Sequence, residues 1–429
     1  MPSSRTPYRL ALCAAALTLG LGACGDDTDD AAADMDAGTD SGEVGDAGAT
    51  DAGAGDSGAS DDAGDDVDTT PPGPWDELVE IGYTRYLGEA VAEVEETDGN
   101  VTSYVFDPES GPICMGGGPF RTAVRDTESE DLVIFLQGGG ACWSEFCLAV
   151  DFSAPGLPTF DLMDETNEAN PYVGWDAVYV SYCDGSLLAG DVDVDLNDDG
   201  IVDRYLRGLR NLSAAMDVTL QHFPEPRRIV LAGASAGGYA TIIATPLVRL
   251  LWPDAELLIV NDSGVGLADP EGPAFIEQLI EEFGAGGLVP PSCTDCFASG
   301  HMTPLVEWIL ERDPDVRIAA ISSYEDRIMS GLFLPMSTVE FRAELIAETE
   351  RLAAAWPGRY QAFLFEGDTH TALLGDLTAF VGPGGGEGSG IGDTIRVGGL
   401  DTTQVDGISV GAWLGLMLEG SDDWQTMQE

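Results

Sequence analysis

Six short apolar runs occur between residues 131 and 365 of this 429-residue chain. They cover residues 131–136, 175–182, 228–232, 256–260, 316–321 and 360–365. Continuous apolar runs of this length are typical of strands buried on both faces of a parallel sheet. Each run is followed by a turn that is rich in glycine or small polar residues. The pattern therefore predicts six strands of such a sheet.

Segments of helical character separate these runs, at residues 206–222, 239–251, 273–283 and 337–355. This alternation is typical of α/β proteins with a doubly wound, mostly parallel sheet and helices on both faces. In such sheets, reactive groups gather at the carboxyl ends of the strands. The turns that follow the six runs are therefore where functional side chains are expected.

One of these turns has the pattern G-x-S-x-G, with Ser235 at its centre. The pattern forms a sharp strand-to-helix turn that exposes a nucleophilic serine, as in α/β-hydrolases. The run 228–232 and the helical segment 239–251 supply the strand and the helix that this turn requires. Ser235 is therefore the predicted nucleophile.

A serine hydroxyl needs a base, and the chain contains three histidines. His370 follows the last predicted strand, as expected for the usual chain order of serine, acid and histidine. His301 also fits that order but follows no predicted strand, and His222 lies at the end of a predicted helix. We predict His370 as the base and keep His301 as the alternative.

The acid must orient the histidine and stabilise its protonated form. Asp326 follows the strand between those of Ser235 and His370, so we predict this role for Asp326. Asp262, at the end of the preceding strand, is the alternative. Asp368 is too close to His370 in the chain to orient it well.

An oxyanion hole needs one backbone N–H group next to the serine and one from the loop after a neighbouring strand. Ala236 supplies the first of these groups. Gly139 and Gly140, in the glycine turn after the run 131–136, are the candidates for the second. Chemistry of this kind requires no cofactor.

The chain carries 76 acidic and 18 basic residues, all of the latter arginine, which gives a formal net charge of −58. Nucleic-acid binding needs a basic face to neutralise phosphates, so this composition excludes that class of function. It also argues against docking on an anionic membrane through basic residues. Any membrane attachment is expected through a lipid anchor alone.

Residues 1–24 have the features of an export signal, with two arginines before an apolar run too short for a stable membrane span. The run ends in Gly22-Ala23-Cys24, which makes Cys24 a candidate lipidation site. Residues 25–74 are predicted to be an acidic, disordered linker, and residues 75–429 the catalytic domain. We expect an outer-surface or periplasmic lipoprotein, or a secreted protein if Cys24 is not lipidated.

Six cysteines remain in the predicted catalytic domain: Cys114, Cys142, Cys147, Cys183, Cys293 and Cys296. An even number of cysteines in an exported domain predicts disulfides. Short spacings favour Cys142–Cys147 and Cys293–Cys296, although the sequence alone does not choose among the pairings. A metal site of Cys293, Cys296 and His301 is the alternative, but it offers only three ligands.

A loop before the first helical segment has the spacing of an EF-hand-type calcium site. Its candidate ligands are Asp195, Asn197, Asp199 and Asp203, although Leu206 stands where a bidentate glutamate is usual. We therefore consider a structural calcium ion and a plain acidic surface loop side by side.

Several segments together resemble the pectin acetylesterase/Notum family: residues 136–143 with Cys147, 181–186, 233–238, 261–264, and the regions of Asp326 and His370. The resemblance implies an α/β-hydrolase core and a secreted serine carboxylesterase, with Ser235, Asp326 and His370 as its triad. It also implies oxyanion roles for Gly140 and Ala236 and the disulfides Cys114–Cys183 and Cys142–Cys147. Plant members of the family remove acetyl groups from pectin, and Notum removes a fatty acyl group from a secreted signalling protein.

The sequence thus predicts an exported serine carboxylesterase that acts on an acyl ester, with an acetyl or short acyl chain. The substrate is a small molecule or an acylated glycan or protein. A lipase or peptidase that uses the same three residues is one alternative. A non-catalytic surface binding protein on the same fold is another.

Overall fold

The computed structural model describes residues 73–375 and 395–429. The predicted export signal, the candidate lipidation site Cys24 and nearly all of the predicted linker lie outside these residues. No helix within the two described ranges has the length and apolar character to cross a membrane. The bounds of the predicted catalytic domain, 75–429, stay a prediction.

The described residues form sixteen strands and seven α-helices. The strands are β1 (Ala92–Asp98), β2 (Val101–Phe106), β3 (Arg121–Arg125), β4 (Asp131–Leu136), β5 (Gly140–Trp143), β6 (Phe146–Ala149), β7 (Asp176–Val180), β8 (Val192–Val194), β9 (Arg204–Leu206), β10 (Arg228–Ala234), β11 (Glu256–Asp262), β12 (Arg317–Ser323), β13 (Tyr360–Phe365), β14 (Gln404–Val405), β15 (Ile408–Ser409) and β16 (Met427–Gln428). The helices are α1 (Asp76–Glu80), α2 (Gly208–His222), α3 (Ala236–Leu251), α4 (Ala274–Glu282), α5 (Thr303–Arg312), α6 (Thr338–Ala355) and α7 (Val410–Glu419).

Ten of the strands form one twisted sheet in the order β1-β2-β3-β7-β4-β10-β11-β12-β13-β16. The pairs from β7 through β16 are all parallel, whereas β1, β2 and β3 form an antiparallel edge that joins β7. The fold is therefore α/β with a mostly parallel sheet, as predicted. All six predicted strands are present in its parallel part.

The sheet separates two apolar cores, one on each face. Along β4, Ile134 and Leu136 contribute to one core, and Val133 and Phe135 contribute to the other. Helices α2, α3, α5 and α6 pack in the first core, and α7 packs in the second. Because both faces of the central strands are covered, their sequences are apolar throughout rather than alternating.

Three disulfides join the six cysteines as Cys114–Cys183, Cys142–Cys147 and Cys293–Cys296. The bond between Cys142 and Cys147 closes the small hairpin of β5 and β6, which begins at Gly140. The pairing of Cys293 with Cys296 leaves no free thiolate there, so the alternative metal site is wrong.

Helix α2 starts two residues later than the sequence predicts. Residues 206–222 were expected to be helical, but α2 begins at Gly208 because residues 204–206 form β9 and pair with β8. The difference is small and does not alter the face that α2 packs against the sheet.

Candidate active site

Ser235 lies in the sharp turn between β10 and α3, at the carboxyl edge of the parallel sheet. Its backbone has φ 58° and ψ −121°, a strained conformation for a residue with a side chain. The Ser235 N–H donates to the carbonyl oxygen of Asp262 at 2.8 Å, which fixes the turn against the neighbouring strand. A Cβ atom at Gly237 would overlap the carbonyl oxygen of Leu136, so the turn needs glycine there.

The side chains of Ser235, His370 and Asp326 form a continuous hydrogen-bonded chain. His370 Nε2 is 2.8 Å from Ser235 Oγ. His370 Nδ1 is 2.9 and 3.0 Å from the two carboxylate oxygens of Asp326. With a proton on Nδ1, Nε2 is left to accept the proton of the serine hydroxyl.

Asp326 is fully buried, and its own backbone turn holds its carboxylate in place. Oδ1 accepts hydrogen bonds from the N–H groups of Ile328 and Met329, both at 3.0 Å. The hydroxyl of Ser330 donates to the Asp326 carbonyl at 2.7 Å. The carboxylate is therefore held in position independently of His370. This reduces the entropic cost of ordering the two side chains against each other.

The buried imidazole of His370 is biased towards its charged form. Burial acts to lower the pKa of His370, but the charge and hydrogen bond of Asp326, with a contribution from Asp262, raise it above its usual value. A histidine of this kind accepts a proton readily during a reaction.

The other candidates for base and acid have different partners. His301 Nδ1 accepts the N–H of Ala268 at 3.0 Å, and His222 Nε2 lies 2.6 Å from the hydroxyl of Tyr104. Asp368 pairs with two arginines and does not bond His370 in the described residues. Among the candidates weighed from the sequence, the structure thus brings together Ser235, His370 and Asp326.

The glycine turn after β4 packs directly against the serine turn. A Cβ atom at Gly138 would overlap the carbonyl oxygen of Ala234, and one at Gly139 would lie 2.7 Å from the ring of Tyr182. The hydroxyl of Tyr182 donates to the carbonyl of Gly140 at 2.6 Å and so helps to orient this turn. Tyr182 ends a predicted strand, but nothing in the sequence pattern indicated this bond.

Two of the three oxyanion candidates line the same cavity as Ser235, namely Gly140 and Ala236. Ala236 is the first residue of α3, where backbone N–H groups lack intrahelical acceptors. Gly139, the third candidate, packs against Tyr182 and Val150 instead. Backbone groups of the glycine turn and of the start of α3, rather than long side chains, therefore lie beside the serine hydroxyl.

A cavity of about 120 Å³ adjoins Ser235. Its walls are almost entirely apolar and come from the β5–β6 hairpin, α3, α4, the turn after α4, α5 and the segment after Asp326. The lining includes Trp143, Tyr239, Phe275, Ile276, Leu279, Ala285, Leu288, Phe297, Leu305 and Phe333. Sequence reasoning did not find this cavity, because its walls are scattered over segments that only the fold brings together.

The candidate calcium loop joins β8 to β9, and its side chains bond to its own backbone. Asp195 accepts the N–H of Gly200 at 2.7 Å, and Asp203 accepts that of Leu196 at 2.7 Å. No group of three or more acidic, histidine or cysteine side chains suited to a metal occurs in the part of the chain that the structure describes. Calcium binding at Asp195, Asn197, Asp199 and Asp203 stays a prediction.

Comparison with known proteins finds relatives of this chain among plant pectin acetylesterases. Pectin acetylesterase 11 of Arabidopsis thaliana is 24% identical to this chain over 229 residues, which is 49% of this chain and 54% of that protein. Pectin acetylesterase 7 of the same plant is 26% identical over 241 residues, 51% of this chain and 58% of that protein. The chain thus spans about half the length of these curated relatives.

The family model for pectinacetylesterase matches residues 97–286. This range includes the glycine turn and Ser235, whereas Asp326 and His370 follow it. The family match and the hydrogen-bonded chain are therefore partly independent observations. Over residues 97–286, this chain is similar to the pectinacetylesterase family.

Proposed function

We propose that this protein is a serine carboxylesterase that hydrolyses an acyl ester through an acyl-enzyme intermediate. The observation that carries the proposal is the hydrogen-bonded chain from Ser235 through His370 to the buried Asp326. The family match supports ester hydrolysis as the reaction.

In the proposed reaction, Ser235 Oγ attacks the ester carbonyl carbon while His370 Nε2 takes the hydroxyl proton. The negative oxygen that develops is stabilised by backbone N–H groups of Ala236 and of the turn at Gly139 and Gly140. His370 then gives its proton to the departing alcohol. Water, activated by the same histidine, attacks the acyl-serine and releases the acid.

The names of the relatives favour an acetyl group, and the cavity offers room for a longer chain. Its volume of about 120 Å³ approaches that of an apolar cavity of about 150 Å³ that binds benzene in another protein. We therefore propose a short acyl group of about two to six carbons. This apolar lining is the specific reason to keep a lipase-type hydrolase as the second candidate.

The alcohol part of the substrate is proposed to be a polysaccharide hydroxyl, on the basis of the relatives' names. The strongly negative chain would repel a polyanionic glycan at low ionic strength, because like charges within a Debye length of each other are poorly screened. A neutral acylated glycan, or an acidic one in salt, therefore suits this protein best.

We also propose that the protein is exported, in keeping with its N-terminal signal features and three disulfides. Lipidation at Cys24 belongs to the same proposal. Mass spectrometry of the membrane fraction would detect the lipidated N-terminus, whereas a free, shortened N-terminus in the medium would contradict it.

The proposed activity is tested with p-nitrophenyl acetate, butyrate, hexanoate and octanoate in salt. We expect Ser235→Ala to abolish hydrolysis of all four esters and labelling by a fluorophosphonate, while leaving the fold intact by circular dichroism. Hydrolysis that survives this substitution would contradict the assignment of the nucleophile. A folded wild type that neither hydrolyses the esters nor takes the label would favour the binding-protein alternative.

Chain length is tested by filling the cavity. Each methylene buried contributes about 0.8 kcal/mol, so kcat/KM should rise roughly fourfold per carbon until the cavity is full. Ala285→Leu should reduce turnover of hexanoate and spare acetate, because Ala285 lines the cavity from the turn after α4 rather than from the serine turn. Gly286→Ala, on the same turn with open space around it, is the matched control. Equal losses on acetate and hexanoate would argue against the cavity as the acyl site.

A further inference from the structure

The carboxyl end of β11 and the turn that follows it are bonded to the serine turn, to β12 and to the histidine loop. The Asp262 carbonyl accepts the N–H of Ser235 at 2.8 Å, and the Ser263 N–H donates to Ile321 of β12 at 2.8 Å. β12 leads to the turn that carries Asp326. The hydroxyl of Ser263 donates to the carbonyl of His370. The end of β11 and its turn therefore connect the serine turn, the strand that precedes Asp326 and the histidine loop.

The carboxylate of Asp262 bonds to the loop just beyond His370. Its Oδ2 accepts the N–H groups of Ala372 at 2.8 Å and Leu373 at 3.0 Å. Its Oδ1 is 3.4 Å from the hydroxyl of Ser263. Two N–H donors aimed at one carboxylate oxygen favour the negative form and fix the direction of the loop.

This carboxylate is fully buried and makes no ion pair with an arginine within residues 73–375 and 395–429. A buried carboxylate without a cationic partner is costly, so its presence needs a compensating benefit. The charged and titratable groups that face it are His370 and Asp326. Burial raises the pKa of Asp262 to about 7, against the lowering effects of the two N–H donors and of His370.

We propose that Asp262 is a positioning residue that fixes the His370 loop and places a second negative charge beside the imidazole. The proposal rests on the esterase function stated above. Asp326 contacts the His370 ring directly, whereas Asp262 acts through the loop and through its charge. Asp262, considered from the sequence as the alternative acid, thus has a distinct role next to the acid.

The electrostatic part of this role has a definite sign. A negative charge near His370 stabilises its protonated form and so helps to raise the pKa of His370. Asp262 carries this charge above its pKa of about 7. Removing the charge should lower the pKa of His370 and move the acid limb of kcat/KM to lower pH, because the neutral base then persists further into acid.

The test is Asp262→Asn, which keeps the shape of the side chain and removes its charge. Titration of His370 by NMR is tractable because the chain has only three histidines, and His222→Gln and His301→Gln assign the others. We expect His370 to titrate at lower pH, kcat to fall roughly tenfold and KM to stay within about twofold. Unchanged titration of His370 together with an unchanged kcat would overturn the proposal.

The matched control is Asp176→Asn. Asp176 is also a buried aspartate that accepts a backbone N–H, from Thr127 at 2.7 Å, but it lies at the opposite end of its strand from the site. A general loss of stability would appear in both variants, whereas a shift in His370 titration should appear only in Asp262→Asn.

Ser263→Ala removes the bond between this turn and the His370 loop without removing the charge of Asp262. It also provides the test if Asp262→Asn does not fold. We expect a lower kcat with His370 titrating as in the wild type, since this change removes the bond to the His370 carbonyl and the long contact with Asp262 Oδ1 but keeps the carboxylate of Asp262. An unchanged kcat would overturn the tethering role. The NMR titration needs no substrate, so it tests the positioning role separately from the esterase function. If the wild type has no esterase activity but Asp262→Asn still shifts the titration of His370, the proposed function is wrong and the positioning role is supported.

Discussion

Asp326 makes two kinds of contact. It orients the ring of His370, and it also accepts two N–H groups of the turn that follows it. That turn continues into Met329 and Phe333, which line the cavity. The acid therefore connects the geometry of the histidine to the wall of the proposed acyl site.

We expect Asp326→Asn to lower kcat/KM by roughly 10³–10⁴-fold, because the amide no longer selects the productive histidine tautomer. The same change removes the main influence that raises the pKa of His370, so the remaining activity should have its acid limb at lower pH. A pH series of kcat/KM on p-nitrophenyl acetate measures both effects.

Asp368→Asn is the control for this prediction. Asp368 is two residues from His370 but pairs with Arg327 and Arg396 on the surface. Surface ion pairs contribute at most about 1 kcal/mol, so this variant should stay within a few-fold of the wild type. A larger loss in Asp368→Asn than in Asp326→Asn would mean that the acid is wrongly assigned.

The serine turn and the glycine turn meet through backbone atoms, with little side chain between them. Gly237 faces the carbonyls of Leu136 and Gln137, and Gly138 faces that of Ala234. Backbone cannot move aside as a flexible side chain can, so these positions tolerate no added carbon. The rigidity of the site thus comes from the close contact of two elements.

Gly237→Ala should lower the free energy of unfolding by roughly 1–3 kcal/mol and reduce activity, because its methyl group meets backbone oxygen. Gly415→Ala, in helix α7 with nothing within 4 Å of the added carbon, should raise the free energy of unfolding by about 0.5–1 kcal/mol. Urea denaturation monitored by tryptophan fluorescence compares the two. Equal effects of the two substitutions would show that the contact between the turns is looser than described.

How far the sequence predicts this fold depends on how each strand is covered. The parallel strands are buried on both faces and appear as apolar runs, so all six were predicted. Strand β1, with the sequence AEVEETD and nearly every side chain exposed, carries no such signal, and the antiparallel edge went unpredicted. Helices α1, α5 and α7 were missed as well, because short amphipathic or fully apolar segments resemble strands and loops in a single sequence.

The candidate site likewise has parts that the sequence predicts and parts that it does not. Ser235, Asp326 and His370 follow strands and lie in a fixed chain order, which made them predictable. The cavity and the bonds of Asp262 depend on residues more than a hundred positions apart, such as Asp262 and Ala372. A local pattern carries no information on contacts of that kind.

The charge of the protein is its most unusual property. Residues 75–429 alone contain 60 acidic residues and 16 arginines. Most of these arginines already make ion pairs with carboxylates, for example Arg227 and Arg228 with Asp131. The remaining carboxylates repel one another, and salt screens that repulsion.

We therefore expect Tm to rise by several degrees between 0.05 and 1 M NaCl, since the Debye length falls to about 3 Å at 1 M. Differential scanning calorimetry measures this, with sorbitol of equal osmolality as the uncharged control. Screening also weakens the ion pairs, each worth up to about 1 kcal/mol. A Tm that falls with NaCl would mean that the ion pairs outweigh the repulsion.

The contact between Arg396 and the histidine loop has a consequence for proteolysis. Trypsin cleaves only after basic residues, and most arginines of this protein form ion pairs with carboxylates. Arg396 is the most exposed of the paired arginines, with 72% of its side chain accessible, and its carbonyl accepts the His370 N–H at 2.8 Å. A single cut after Arg396 would leave α7 packed in its core yet free the strand of chain that supports His370. Brief digestion of the native protein should then yield a nicked form that stays folded and is inactive.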